Sequence, residues 1–273
     1  MRILFCGDVV GQSGRDVVVR NLPILNDKLK LDCVIVNAEN AAHGFGITPG
    51  ICRDLYKAGT HVISTGNHAF DHRDIMAHMS SDKNIIRPIN YPAATPGRGY
   101  TVFTTPRGKK VLVVNVMGRL FMDALDDPFA AIEDVFKTYT LGGLVDAIVI
   151  DIHAEATSEK MAMGHFCDGR ASLVVGTHTH IPTADCQILP NGTAYMTDAG
   201  MCGDYNSVVG MEKDIPLYKF TRKTPPPARM QPATGIGTLC GVFVETDDVT
   251  GLAKAIKPIR LGARLNQTSL DDF

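Results

Sequence analysis

The stretch 173-LVVGTHTH-180 sets a short run of apolar and small residues directly against two histidines that stand two apart. A run of this length and composition, closed by polar residues, is the pattern of a strand buried on both faces. Residues i and i+2 of an extended backbone project to the same side, so His178 and His180 are expected to face one place. Imidazole is bulky, half polar and titrates near neutral pH, so a pair at a strand end needs a chemical reason.

The same pattern recurs along the chain. 2-RILFCGD-8 closes at Asp8, 32-DCVIVNAEN-40 at Asn37, Glu39 and Asn40, and 61-HVISTGNH-68 at Asn67 and His68. 111-VLVVNVMG-118 closes near Asn115, 147-AIVIDIHAE-155 at Asp151 and His153, and 193-TAYMTDAG-200 at Asp198. Between these runs lie helical patterns. Residues 13–29 carry apolar positions at helical spacing, with Ser13 as cap and Pro23 expected to bend or break the segment. Residues 48–58 open with Thr then Pro and stop at Gly59, and residues 128–141 open at Pro128 and stop at Gly142 and Gly143. Alternating strand and helix predict an α/β core with helices outside the sheets. From about residue 185 strand outweighs helix, and 237–259 reads as a hairpin turning at 247–251. Residues 1–273 are taken as a single domain with two loop excursions. One is at about 80–110, with Pro88, Pro92, Pro96 and Pro106, and one is the basic, proline-rich 219–235.

The composition is that of an ordinary globular protein able to bury a sizeable core: 273 residues, 45% hydrophobic, 21% charged. A net charge of -2 and a pI of about 6.5 lack the basic surface that long nucleic acid requires, so DNA is not expected as a partner. Seven cysteines, an odd number with no CxxC spacing, suit free thiols in a reducing compartment. No signal peptide and no membrane span is read, and the cytoplasm is the expected location.

In open α/β sheets ligands bind beyond the carboxyl ends of the strands. There the chain gathers Asp8, Glu39, Asn40, Asn67, His68, His153, His178 and His180. Each alone has an ordinary explanation as a cap, a turn or a core histidine. Together they form a set of metal-type ligands without a thiolate. A single catalytic zinc needs about three protein ligands; two ions need a shared carboxylate and about three more ligands each. Glu39 has two oxygens with which to bridge, and nitrogen with neutral oxygen suits manganese, iron or zinc better than magnesium or calcium. His43, His61, His72, His78 and His165 lack the strand-end setting, and His72 and His78 are placed on a helix after the Gly-Asn-His turn.

On Gly7–Asp8, Gly66–Asn67–His68, the single His153 and 177-THTH-180, the chain resembles the calcineurin-like binuclear metallophosphoesterases. Val10 replaces the histidine of the usual Asp-x-His, and 37-NAEN-40 replaces the usual Gly-Asp. That pattern, together with 3-ILFCGDVVGQSGR-15, 85-IIRPINYP-92 and 197-TDAGMCG-203, is similar to a bacterial subgroup, the YmdB-like phosphodiesterases. The resemblance implies a four-layer αββα sandwich of two mixed β-sheets flanked by helices. It implies one metal ion on Asp8, Glu39, Asn40 and His180, and a second on Glu39, Asn67, His153 and His178. His68 would face the scissile phosphate and act as general acid, while a metal-activated hydroxide attacks phosphorus. The implied substrates are cyclic nucleotides, 2′,3′-cyclic and by extension 3′,5′-cyclic, with RNA as a further partner. Asp198 and Asp71 are candidates to support the site, and Arg87, Asn90 and Tyr91 to form a substrate rim. A phosphomonoesterase, a 5′-nucleotidase or an RNA-processing regulator would use the same metal site, an amidohydrolase is a further metal-dependent alternative, a non-catalytic metal-bound regulator is the last, and a homo-oligomer is a base-rate expectation.

Overall fold

The computed structural model describes residues 1–272. The first half of the chain folds as β1 (Arg2–Cys6), α1 (Gly11–Leu29), β2 (Cys33–Asn37), α2 (Pro49–Lys57), β3 (Val62–Ser64), α3 (Ile75–Ser81), β4 (Tyr100–Thr104), β5 (Lys110–Met117) and α4 (Pro128–Thr138). The second half adds β6 (Ala147–His153), α5 (Thr157–Cys167), β7 (Leu173–Thr177), β8 (Gln187–Ile188), β9 (Ala194–Met196), α6 (Asp214–Thr221), β10 (Thr238–Thr246) and β11 (Ala253–Gly262).

Two mixed sheets result, ordered β11-β10-β1-β2-β3 and β4-β5-β6-β7-β9-β8. In the first, β1, β2 and β3 are parallel, and β10 pairs antiparallel with both β1 and β11. In the second, β5, β6, β7 and β9 are parallel, with β4 and β8 antiparallel at the edges. Side chains alternate across a strand, and both faces of these sheets find apolar partners. Ile3 and Phe5 of β1 and Cys33 and Ile35 of β2 turn toward the other sheet, where they meet Val111, Val113, Val149, Leu173 and Val175. Their neighbours Leu4, Cys6, Val34 and Val36 turn the other way onto Val18, Leu22 and Leu25 of α1 and Leu55 of α2. On the far side, Leu112, Val114, Ile148, Ile150 and Val174 pack on Ile132 of α4 and on Met163 and Cys167 of α5. This is why the runs read as continuous apolar stretches rather than alternating ones: the central strands β2, β6 and β7 are buried at every position. The architecture is helix, sheet, sheet, helix, and the hairpin turn falls at 247–251 as expected.

Several expectations need correction. α1 runs unbroken through Pro23; the ring lies on an exposed position, so the carbonyl that loses its N–H partner there can reach water. Ser13 does not cap α1, which starts at Gly11; its hydroxyl donates to the Gly235 carbonyl at 2.8 Å. The 80–110 excursion contains an edge strand, β4, paired antiparallel to β5. α6 also overlaps the start of the 219–235 loop. His78 lies on α3, while His72 precedes it.

Candidate metal centre

The parallel strands of the first sheet deliver Asp8, Glu39, Asn40, Asn67 and His68 just past their carboxyl ends, and those of the second deliver His153, His178 and His180. The two sets meet across the seam between the sheets. His153 Nε2 lies 3.0 Å from Glu39 Oε1 and 2.9 Å from Asn67 Oδ1. His153 Nδ1 stands 4.0 Å, and His180 Nε2 3.9 Å, from Asp8 Oδ1. The His178 backbone N–H faces Asp8 Oδ2 at 3.2 Å, and its ring meets the His153 ring edge-on at 4.8 Å. Ligand atoms of Glu39, His153 and His178 all lie within 4.8 Å of one another. The Glu39 carboxylate also accepts the His68 backbone N–H at 2.9 Å, which ties the Gly-Asn-His turn to β2.

Hydrogen bonds around the rings decide which nitrogen is free. Thr177 Oγ1 donates to Asp151 Oδ1 at 2.6 Å, so it accepts from His153 Nδ1 at 2.9 Å. Nε2 is therefore the ring atom that faces the two acceptor oxygens, and it carries a proton toward them while the imidazole is charged. A cation must stand between these atoms, the Nε2 proton of the charged imidazole or a metal ion that displaces it. His180 is set the same way: Nδ1 donates to the Val209 carbonyl at 2.9 Å, leaving Nε2 toward Asp8. Asn40 Nδ2 donates to the Gly44 carbonyl at 3.0 Å, and its Oδ1 is buried with no hydrogen-bond partner. Orphaned buried acceptors are rare in native proteins. An oxygen-rich and imidazole-rich cluster with an unpartnered buried carboxamide oxygen fits metal ions.

Titration follows burial and charge. Burial pushes Glu39 up, but the His153 imidazole outweighs it and holds the carboxylate at about 2. Burial pushes His153 down, and Glu39, then Asp8 and Asp151, carry it up to about 9. Burial raises Asp8 despite the pull of His180 and His153. His178 is pushed down to about 3 by burial and by the His153 charge, which keeps it a neutral imidazole.

The expectation of an extended backbone at 178–180 does not hold. His178 has φ 87° and His180 φ 66°, both left-handed, a region few residues other than glycine adopt. The loop is held there by Asp198. That carboxylate accepts the Thr179 backbone N–H at 3.2 Å and its hydroxyl at 2.5 Å, and pairs with the wholly buried Lys160 at 2.8 Å. Lys160 also donates to Thr179 Oγ1 at 3.0 Å. Asp198 thus supports the two histidines through the residue between them, not through a ring nitrogen. Asp71 does bind a ring, His68 Nδ1 at 2.8 Å. Arg87 and Asn90 are bound to backbone groups: Arg87 donates to the Pro88, Thr95 and Pro96 carbonyls, and Asn90 bridges Met117 and Asp126. Tyr91 donates to the Gly66 carbonyl at 3.1 Å, bracing the Gly-Asn-His turn from below. Gly66 must be glycine, since a Cβ there would strike the His153 ring.

Sequence reasoning missed Asp151 and Lys160 as parts of this site. Asp151 is pushed up to about 6 by burial, against the nearby His153 and the hydroxyls of Thr177 and Ser64. It also accepts from Asn37 Nδ2 at 3.2 Å. Its signal was present, a carboxylate two residues before a candidate ligand on the same buried strand. The left-out histidines serve elsewhere: His61 Nδ1 accepts from the Val34 N–H, and His72 Nε2 meets the Phe45 carbonyl.

The family model described as YmdB-like protein matches residues 4–259. A 2′,3′-cyclic-nucleotide 2′-phosphodiesterase of Bacillus subtilis is 46% identical over 261 residues, which covers 96% of this chain and 96% of that one. A structure of a hypothetical protein from Thermus thermophilus aligns with a TM-score of 0.89 at 41% identity, covering 97% of this chain and all of the other. A Mycoplasma pneumoniae structure described as a novel phosphatase gives a TM-score of 0.89 at 32% identity, over 96% of this chain and 93% of that one.

Proposed function

This chain belongs to the YmdB-like protein family, and on that premise we propose that it hydrolyses cyclic nucleotides, 2′,3′-cyclic ones above all, at a two-metal centre on the seam between its sheets. The Bacillus subtilis relative supports the substrate class. The observation that carries the chemistry is the convergence of Glu39 Oε1 and Asn67 Oδ1 on His153 Nε2. 3′,5′-cyclic nucleotides offer the same diester and fall within the proposal.

Asp8, Glu39, Asn40 and His180 would hold one ion, and Glu39, Asn67, His153 and His178 the other. Iron, manganese and zinc suit these donors. When bound, such a pair supplies an acidified water and positive charge against the phosphate oxygens. The chain's own work is positioning and proton transfer. Asp71 accepts the Nδ1 proton of His68 and fixes the ring, so Nε2 is the atom that gives a proton to the leaving alkoxide. Phe45 packs edge-on against that ring, centroids 5.0 Å apart, and limits its rotation. The cysteines, free among the described residues and mostly buried, fit a reducing compartment, the cytoplasm.

Turnover and metal content of two variants test this together. His68→Ala loses about 10²–10⁴-fold in kcat, the usual weight of a general acid, and keeps both ions by elemental analysis. Asn67→Ala loses one ion. Full activity in the first, or unchanged metal in the second, would overturn the assignment. A phosphomonoesterase is the second reading, supported by the description of the Mycoplasma pneumoniae structure. Comparing bis-p-nitrophenyl phosphate with p-nitrophenyl phosphate separates the two.

A further inference from the structure

The cleft over the candidate metal centre has a half that the hydrolytic chemistry leaves unused. Its polar floor is Glu39, Asn40, His68, His178 and His180. Facing them is an apolar wall built from Phe45, Val209, Met211, Phe220 and Met230, with Lys219 beside Phe220. The cleft holds ≈ 560 Å³, far more than a phosphate group fills and within the range of about 300–1,000 Å³ typical of small-molecule sites. Phe220, next to last in α6, has 86% of its surface exposed, on a helix whose only buried residue is Pro216. An aromatic ring left in water at the lip of a catalytic cleft contributes nothing to the core.

We propose that this wall is the nucleobase subsite of the enzyme, with the base lying on Phe220 and against Met211 and Met230 while the cyclic phosphate sits over the floor. The inference rests on the cyclic-nucleotide activity and adds the residues that recognise the rest of the substrate. Aromatic and thioether faces stack on any base, since every base has a π-face. The wall's aromatic and thioether side chains present no paired donor and acceptor to a base edge. The subsite therefore distinguishes a nucleotide from a small cyclic diester and does not distinguish adenine from uracil. Lys219 adds a cation that favours an anionic ligand in the cleft.

Phe220→Ala is the direct test, and the exposure of the ring makes the substitution harmless to folding. With 2′,3′-cyclic AMP and 2′,3′-cyclic UMP, KM rises roughly tenfold, the weight of one lost stacking contact, while kcat stays within about twofold because the floor is untouched. With glycerol 1,2-cyclic phosphate, which has no base, KM is unchanged. Phe220→Trp gives a readout free of turnover: the chain otherwise has no tryptophan, so adenosine 3′-monophosphate quenches its emission and ribose 3-phosphate does not. An unchanged KM for the nucleotides, an equal rise for all three substrates, or no quenching would overturn the subsite and leave the hydrolase intact. Wild-type protein that turns over none of the three substrates, with quenching by the nucleotide preserved, would overturn the hydrolase and support the subsite.

Discussion

Thr177 sets the chemistry of His153 although it touches no substrate. Its hydroxyl has one proton, given to Asp151, so it can only accept from the imidazole. Replacing it by valine keeps the shape and frees His153 to carry its proton on either nitrogen. Partners of this kind are worth about 10–100-fold in metal affinity. Thr177→Val should therefore weaken metal binding by that factor in a chelator competition, and Thr177→Ser should restore it. Equal affinities in all three proteins would show that the ring is oriented by packing alone.

The elements that could be read from the amino acids are those whose buried faces are predominantly apolar. Strands β1, β2, β6 and β7 announced themselves because both sides of each meet hydrophobic layers. α5 did not, because its inward face carries Glu159, which accepts the Arg119 and Leu120 N–H groups, and Lys160, paired to Asp198. Polar groups satisfied by distant parts of the chain erase the helical stripe. α6 buries only Pro216, and β4 is a half-exposed edge strand, so neither left a clear period. The site shows the same division. The ligand types stood at the strand ends and Asp198 stood out beside them, but the left-handed turns of His178 and His180, which it holds through Thr179, are set by contacts that no local pattern reveals. α4 starts at Pro128 as expected, and Asp127 caps it, accepting from Phe129 and Ala130 at 2.9 and 3.2 Å. Asp127→Ala should cost about 1 kcal/mol, or about 2 °C in Tm. The Ala130 N–H, then the Phe129 N–H and Arg119, hold this carboxyl below its usual range despite some desolvation. A depressed folded-state value means the capping contribution is present above the ordinary aspartate pKa and fades as pH falls through the folded one. The Tm difference between the two proteins should thus shrink in acid.

Across the molecule, the two sheets share a wide apolar interface, and at one edge of it they share a polar cluster as well. Ions bound there, as proposed, would join Asp8, Glu39 and Asn67 of the first sheet to His153, His178 and His180 of the second. Anything that binds the native state and not the unfolded one stabilises it, by about 2.7 kcal/mol at a free concentration of 100 Kd. Removal of metal with a chelator should lower Tm, and manganese should return it; an identical Tm with and without metal would place the ions away from the seam.

A centre divided in this way also keeps time. Each proposed ion would draw donors from both sheets, so a chain in which only one sheet has formed would lack a complete pair of sites and be catalytically silent however well ordered it is. During renaturation, phosphodiesterase activity should return no earlier than the docking of one sheet on the other. The enzyme's own turnover then becomes a clock for the last large step of its assembly.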